Sequence, residues 1–157
     1  MRTDDSMTTF LHTVEPDLTL DAAYALMRAE DIRHLPVVSG HRLVGLLSER
    51  DILLLATPYE DQVLVPSIPV KAAMKTPVVT CRETTQLREV AAIMLDHKID
   101  CLPVLDESGQ LVGIITSSDL LEAWCGDHLV STGRRASVRF KPVSTAAQIH
   151  PKRHVGR

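Results

Sequence analysis

The apolar positions of this chain change period in a fixed order, and that order occurs twice. Leu20, Ala23, Tyr24 and Met27 stand at i, i+3, i+4 and i+7, as do Leu87, Val90, Ala91 and Met94. This spacing predicts one amphipathic helix in each half of the chain. Asp17 and Thr19 precede the first helix and Thr84 and Thr85 the second, as candidate caps. Short apolar runs surround each helix: Leu11 to Val14 and Val78 to Cys81 before it, Leu35 to Val38 and Leu102 to Leu105 after it, then Leu43 to Leu47 and Leu111 to Ile115. Ser39-Gly40-His41, or Asp106-Glu107-Ser108-Gly109, reads as the turn between the last two runs. A second helix begins near Ser48 or Thr116. The predicted order is strand, helix, strand, strand, helix, twice over, which is an α/β (α+β) chain.

The two halves also agree residue by residue. A shift of 67 lays Met7, Thr13, Leu20, Met27, Ile32, Leu35, Pro36 and Val37 onto Met74, Thr80, Leu87, Met94, Ile99, Leu102, Pro103 and Val104. Past a one-residue insertion in the turn the shift becomes 68, and Leu43, Val44, Gly45, Asp51 and Leu53 fall on Leu111, Val112, Gly113, Asp119 and Leu121. The matches include glycine, proline and aspartate, so a common binary pattern does not account for them; the chain is an internal repeat. The repeats run over 7–56 and 74–125. Residues 57–73, with Pro58, Pro66 and Pro69, read as a linker with a short turn of helix leading to Met74. One such unit leaves the apolar face of its sheet uncovered, so the two are expected to pack together.

With 157 residues and 45% apolar content the chain can bury a sizeable core. No run approaches the roughly 18 apolar residues of a membrane span, and the amino terminus MRTDDSMTTF lacks the apolar stretch of a signal peptide, so a cytoplasmic protein is expected. Cys81, Cys101 and Cys125 form no close pair and read as reduced, mostly structural thiols. The seven histidines and three cysteines show no metal-ligand spacing, and no metal is expected. The net charge of −3 hides an asymmetry: residues 1–125 carry 10 Lys or Arg against 19 Asp or Glu, and residues 126–157 carry 7 against 1. An acidic body is thus joined to a basic tail, and nucleic acid is an expected partner only through that tail. The tail has no sustained period, with Val138 and Phe140 as one candidate strand.

The segments IRHLPVVSGHRLVGLLSERDIL and IDCLPVLDESGQLVGIITSSDLL, each following a helix that ends near Met27 or Met94, closely resemble paired cystathionine β-synthase (CBS) domains, the Bateman module. The resemblance covers residues 7–124. It implies two β-α-β-β-α repeats packed with pseudo-twofold symmetry, plus the basic C-terminal tail, and two clefts that in many members bind AMP, ATP, NAD or S-adenosylmethionine. The family's binding motif, Gly-h-x-Ser/Thr-x-x-Asp with h an apolar residue, is matched by Gly45 to Asp51 and again by Gly113 to Asp119.

An ionised Asp can accept bonds from both vicinal hydroxyls of a ribose, each charge-assisted and worth about 1.5–3 kcal/mol. Ser48 or Thr116, where a strand meets a helix, can present a hydroxyl and free N–H groups to a phosphate or sugar oxygen. The same spacing also fits a relaxed capping box, in which the acid supports only the start of the helix. Carried over from the family, one cleft combines Ser48, Arg50 and Asp51 with Thr80 and the segment Ile99, Cys101 and Pro103. The other combines Thr116 and Asp119 with Thr13 and the segment Ile32, His34 and Pro36. Only the first motif has Arg before its Asp, so a phosphorylated ligand is expected in the Arg50 cleft. His34 reads either as a phosphate contact or as a partly exposed strand histidine. Met27 and Met94 read as core, Met7 and Met74 as packing against a neighbouring helix, and Trp124 as core or as a dimer contact.

The expected function is a non-catalytic regulatory module that binds an adenosine-containing ligand, AMP or ATP above others, and signals through its shape or assembly. It is expected to form a homodimer, to act on an unidentified protein partner and to use no catalytic cofactor. The alternative is a constitutive interaction protein with empty clefts, whose Arg134, Arg135, Arg139, Lys141, Lys152 and Arg153 recruit an acidic partner or nucleic acid. An enzyme is not expected, since the chain has no glycine-rich phosphate loop and no nucleophile motif.

Overall fold

The structure is a computed structural model, which describes residues 1–125 and the backbone of a strand at Arg139–Val143. The first repeat runs β1 (Phe10–Val14), α1 (Leu20–Glu30), β2 (His34–Ser39), β3 (Arg42–Ser48) and α2 (Glu49–Leu53). A hairpin of β4 (Thr57–Tyr59) and β5 (Gln62–Leu64) follows, then β6 (Cys81–Arg82), α3 (Leu87–His97), β7 (Cys101–Leu105), β8 (Leu111–Thr116), α4 (Ser117–Cys125) and finally β9 (Arg139–Val143). The two main sheets have the orders β3-β2-β1-β9 and β6-β7-β8. In each, the first strand of the repeat pairs parallel with the second, which pairs antiparallel with the third. Even the register break repeats, at Val37/Val38 and at Val104/Leu105, one period apart.

The helical spacing is realised as predicted. Leu20, Ala23, Leu26 and Met27 of α1 are buried against Leu35, Val37 and Leu47, while Val90 and Met94 of α3 cover Leu102, Val104 and Ile115. A third cluster, Leu11, Cys101, Leu111 and Ile114 with Val38, Leu43 and Leu46 against it, draws on both repeats and joins them. That shared apolar layer is how each sheet covers its open face.

The repeats also exchange segments. A 3-10 turn at Thr3–Asp5 and its counterpart at Val70–Ala72 each lead into a residue that bridges the other repeat. Thr8 and Ile114 exchange both backbone bonds at 2.9 and 3.0 Å, and Lys75 and Leu46 do the same at 2.9 and 3.1 Å. Met7 therefore packs on the second core and Met74 on the first. Their partners are Gly113 and Gly45 on β8 and β3, where a Cβ would collide with the methionine Sδ. Beside the helix residues of those cores, each methionine has a strand glycine, which leaves the hole that the thioether fills.

Other local expectations change too. The N-cap of α3 is Gln86, not Thr84 or Thr85, because the Thr85 hydroxyl accepts from the N–H of Arg82 in the preceding turn. The first strand of the second repeat is Cys81–Arg82 instead of Val78 to Cys81; it pairs only with Val104 and Leu105 of β7. By contrast β1 is held along its length by β9, from Phe10↔Arg139 to Val14↔Val143. That strand includes Phe140 of the expected pair, while Val138 and the remainder of 126–157 lie outside the described residues. The helix α2 ends at Leu53, and Pro58 then biases Thr57 to the extended conformation that starts β4. Among the described residues no helix is long and apolar enough to cross a membrane, and no group of His, Cys, Asp and Glu could hold a metal ion.

Candidate functional site

Where β3 runs into α2, Ser48 closes the helix start with Asp51. The Asp51 Oδ2 accepts from the Ser48 N–H at 3.0 Å and from its hydroxyl at 2.6 Å, and the Asp51 N–H donates back to Ser48 Oγ at 3.1 Å. Thr116 and Asp119 repeat the arrangement where β8 meets α4, at 2.7, 2.8 and 3.4 Å. The neighbouring N–H groups are also used: Glu49 donates to the Arg33 carbonyl at 2.8 Å and Ser117 to that of Asp100 at 2.9 Å. The capping-box reading is therefore realised in both repeats. Each box consumes only Oδ2. The other oxygen of Asp51 lies 3.5 Å from the Lys75 ammonium, and that of Asp119 has no partner among the described residues.

Two cavities open at these junctions and are built from matching positions. The first, about 90 Å³, is lined by Leu46, Ser48 and Asp51 of one repeat facing Lys75, Val79 and Ile99 of the other. The second, about 210 Å³, places Ile114 and Thr116 opposite Thr8, His12 and Ile32. A wider hollow of about 440 Å³ adjoins both, with Arg33, Arg50, Glu49 and Asp100 on its walls. The clefts thus have one geometry and different chemistry: Val79 and Pro77 in one stand where His12 and Phe10 stand in the other.

The polar side chains sit where burial decides their chemistry. The His34 ring is 13% exposed, and its Nε2 lies 3.2 Å from Oδ1 of Asp100 in the other repeat. Burial lowers its pKa from 6.5, although the Asp100 carboxylate pulls the other way, so the ring is neutral at neutral pH. His12 is buried, its Nε2 3.4 Å from Glu30 and its Nδ1 without a hydrogen-bond partner. Burial pushes the Cys81 thiol up to about 11 and Cys101 further still. Neither is a thiolate nucleophile at neutral pH.

Of the residues expected at the first cleft, Ser48, Asp51, Ile99 and Cys101 line it. Arg50 is exposed and faces the adjoining hollow instead, while Thr80 and Pro103 line neither cleft nor the hollow. At the second cleft Ile32, His34, Pro36 and Thr116 line the cavity; Thr13 is buried at 1% exposure, and Asp119, half-buried and hydrogen-bonded to Thr116, is not on its wall. Missed from the sequence were Thr8, Phe10 and His12 and their counterparts Lys75, Pro77 and Val79. The paired Met7 and Met74 were the one signal that these preceding segments are part of the repeat.

A family model for the CBS domain matches residues 4–56 and 70–126. The chain belongs to the CBS-domain family. The CBS domain-containing protein YhcV of Bacillus subtilis is 35% identical over 116 residues, 74% of this chain and 80% of that protein. An inosine-5'-monophosphate dehydrogenase of Korarchaeum cryptofilum is 37% identical over 109 residues, 69% of this chain but only 21% of the dehydrogenase. Among solved structures, CBSX2 in complex with AMP superposes with a TM-score of 0.70 at 26% identity, covering 82% of this chain and 98% of that one. The CBS domain pair of MJ0100, in complex with 5'-methylthioadenosine and S-adenosyl-L-methionine, gives 0.70 at 25% identity, covering 81% and 98%.

Proposed function

We propose that this CBS pair is a non-catalytic sensor of an adenosine-containing ligand, AMP or ATP above others, held in the clefts at the repeat seam. The observation that carries the reading is the divided carboxylate. In each motif Oδ2 is spent on the cap, which leaves Oδ1 for the vicinal hydroxyls of a ribose. It takes them directly at the first cleft, which Asp51 lines beside Lys75, and at the second through a shift of Asp119 toward the cavity. The cap and the ligand role are therefore not rivals for one atom. Apolar walls such as Val79 and Ile99, or Ile32 and Ile114, suit a base, and a phosphate leaving either cleft enters the hollow beside Arg33 and Arg50. The adenosine compounds bound by CBSX2 and MJ0100 support the same ligand class.

The output of the sensor is its assembly. The helix α4 buries none of its residues fully and leaves Leu121 at 66% and Trp124 at 91% exposure. That apolar face supports a homodimer whose helices present the ligand state to a protein partner, with free buried thiols suited to a reducing cytoplasm. Thermal-shift measurements with AMP, ADP, ATP, NAD and S-adenosylmethionine test the reading. A ligand at a hundred times its Kd adds about 2.7 kcal/mol, so at least one compound raises the Tm by several degrees. No shift at millimolar concentration of any of them refutes it.

A further inference from the structure

His34 is the one side chain among the described residues that lines both clefts, and it also lines the hollow between them. It starts β2 directly across from Ser48, so it belongs to the wall of the first cleft, while its ring reaches Asp100 in the second repeat. Its counterpart by the repeat, Cys101, lines the first cleft alone. This asymmetry has a consequence for binding that rests on the adenosine reading of the clefts.

We propose that the two clefts bind their ligands antagonistically, and that His34 is the residue that couples them. The first reason is hydrogen bonding. A neutral imidazole has one N–H and one acceptor, and Nε2 lies 3.2 Å from the Asp100 carboxylate, the side on which the N–H is favoured. What remains for a ligand is then the single lone pair on Nδ1. One adenosine amino group or ribose hydroxyl can use it, and a second ligand in the other cleft finds it taken. The second reason is volume. A cavity of about 90 Å³ is well below the roughly 300 Å³ at which ligand pockets begin. Opening it moves a wall, and where the wall is His34 the space comes from the neighbouring cleft. The ring can move because its anchor is loose: the Asp100 side chain is 63% exposed. Both effects have the same sign. The loss of one hydrogen bond weakens the second binding event by about three- to tenfold.

The experiment is an NMR titration of the full chain with AMP, following the amides of Val79 for the first cleft and His12 for the second. In the wild type the two occupancy curves are interdependent, filling of one cleft weakening the other about three- to tenfold relative to its affinity while the first is empty. His34→Cys installs the residue found at the matching position of the second repeat; His34→Ala provides a second variant, and the amide spectrum of each reports whether it is folded. In either variant the curves become independent hyperbolas. Filling of one cleft in the wild type and of both in His34→Cys supports the proposal in its strong limit. Independent curves in the wild type overturn it while leaving the sensor reading intact, as does interdependence that survives both variants. If none of AMP, ADP, ATP, NAD and S-adenosylmethionine moves either amide, the adenosine reading itself fails and takes the coupling with it.

Discussion

Gly113→Ala tests the strap that holds the repeats together. Gly113 is buried on β8 opposite Val104, in extended backbone that alanine adopts without strain, so its effect is one of space alone. The added Cβ would collide with the Met7 Sδ and stand 3.2 Å from the Thr8 carbonyl oxygen. The thioether can swing aside, but the carbonyl accepts the Ile114 N–H at 3.0 Å and cannot retreat without straining that bond. Overpacking of this kind costs about 1–3 kcal/mol, and a weakened backbone bond adds about 1 kcal/mol. The expected loss is about 2–4 kcal/mol, read from urea denaturation followed by circular dichroism. Gly45→Ala meets only the Met74 side chain and should cost less. The collision is isolated by a double-mutant cycle: Met7→Ala with Gly113→Ala should be less destabilised than the sum of the singles by about 1–2 kcal/mol. A Gly113→Ala protein within about 0.5 kcal/mol of the wild type, or strict additivity in the cycle, would refute the strap as the source of the cost.

Three further outcomes follow from the same structure. Lys98 ends α3 in the left-handed region at φ 54°, where a side chain costs roughly 1–2 kcal/mol, so Lys98→Gly should raise stability by about 0.5–1 kcal/mol after the added freedom of the unfolded chain is counted; a lower Tm would contradict this. Trp124→Glu should convert a homodimer into a folded monomer in sedimentation, and a dimer that persists in the variant would remove α4 from the interface. Thiol labelling should find Cys125 reactive at pH 8 and Cys81 and Cys101 silent, because thiolate is the reactive form and burial holds Cys81 near 11 and Cys101 higher. As pH rises toward 11 Cys81 should begin to react; labelling of all three at pH 8 in folded protein would show that the core is open.

The elements that carry a period were legible in the sequence. Helical spacing placed α1 and α3, and the duplicated Gly, Pro and Asp placed both strand-to-helix junctions where the capping boxes form. What escaped was set by contacts between repeats, which leave no period behind. Thr8 and Lys75 reach the clefts through isolated bridges to Ile114 and Leu46, and a single bridge has no alternation to read. Arg50 precedes Asp51 in sequence, yet successive helix residues point in different directions, so it faces the hollow and not the cleft. His34 was expected at one cleft; only the packing of the two repeats shows that it serves both. The hairpin at 57–64 was hidden by prolines that read as a linker, and one of them, Pro58, lies within β4.

In the proposed sensor the second oxygen of each motif carboxylate holds a ribose. The most direct test is calorimetric titration of AMP into the wild type, Asp51→Asn, Asp119→Asn and the double variant, since Asn keeps an acceptor for the cap and loses the charge. Loss of a charge-assisted bond worth about 1.5–3 kcal/mol predicts that each single variant weakens one of the two clefts about tenfold or more and that the double variant weakens both. AMP binding of wild-type strength in the double variant would contradict the account.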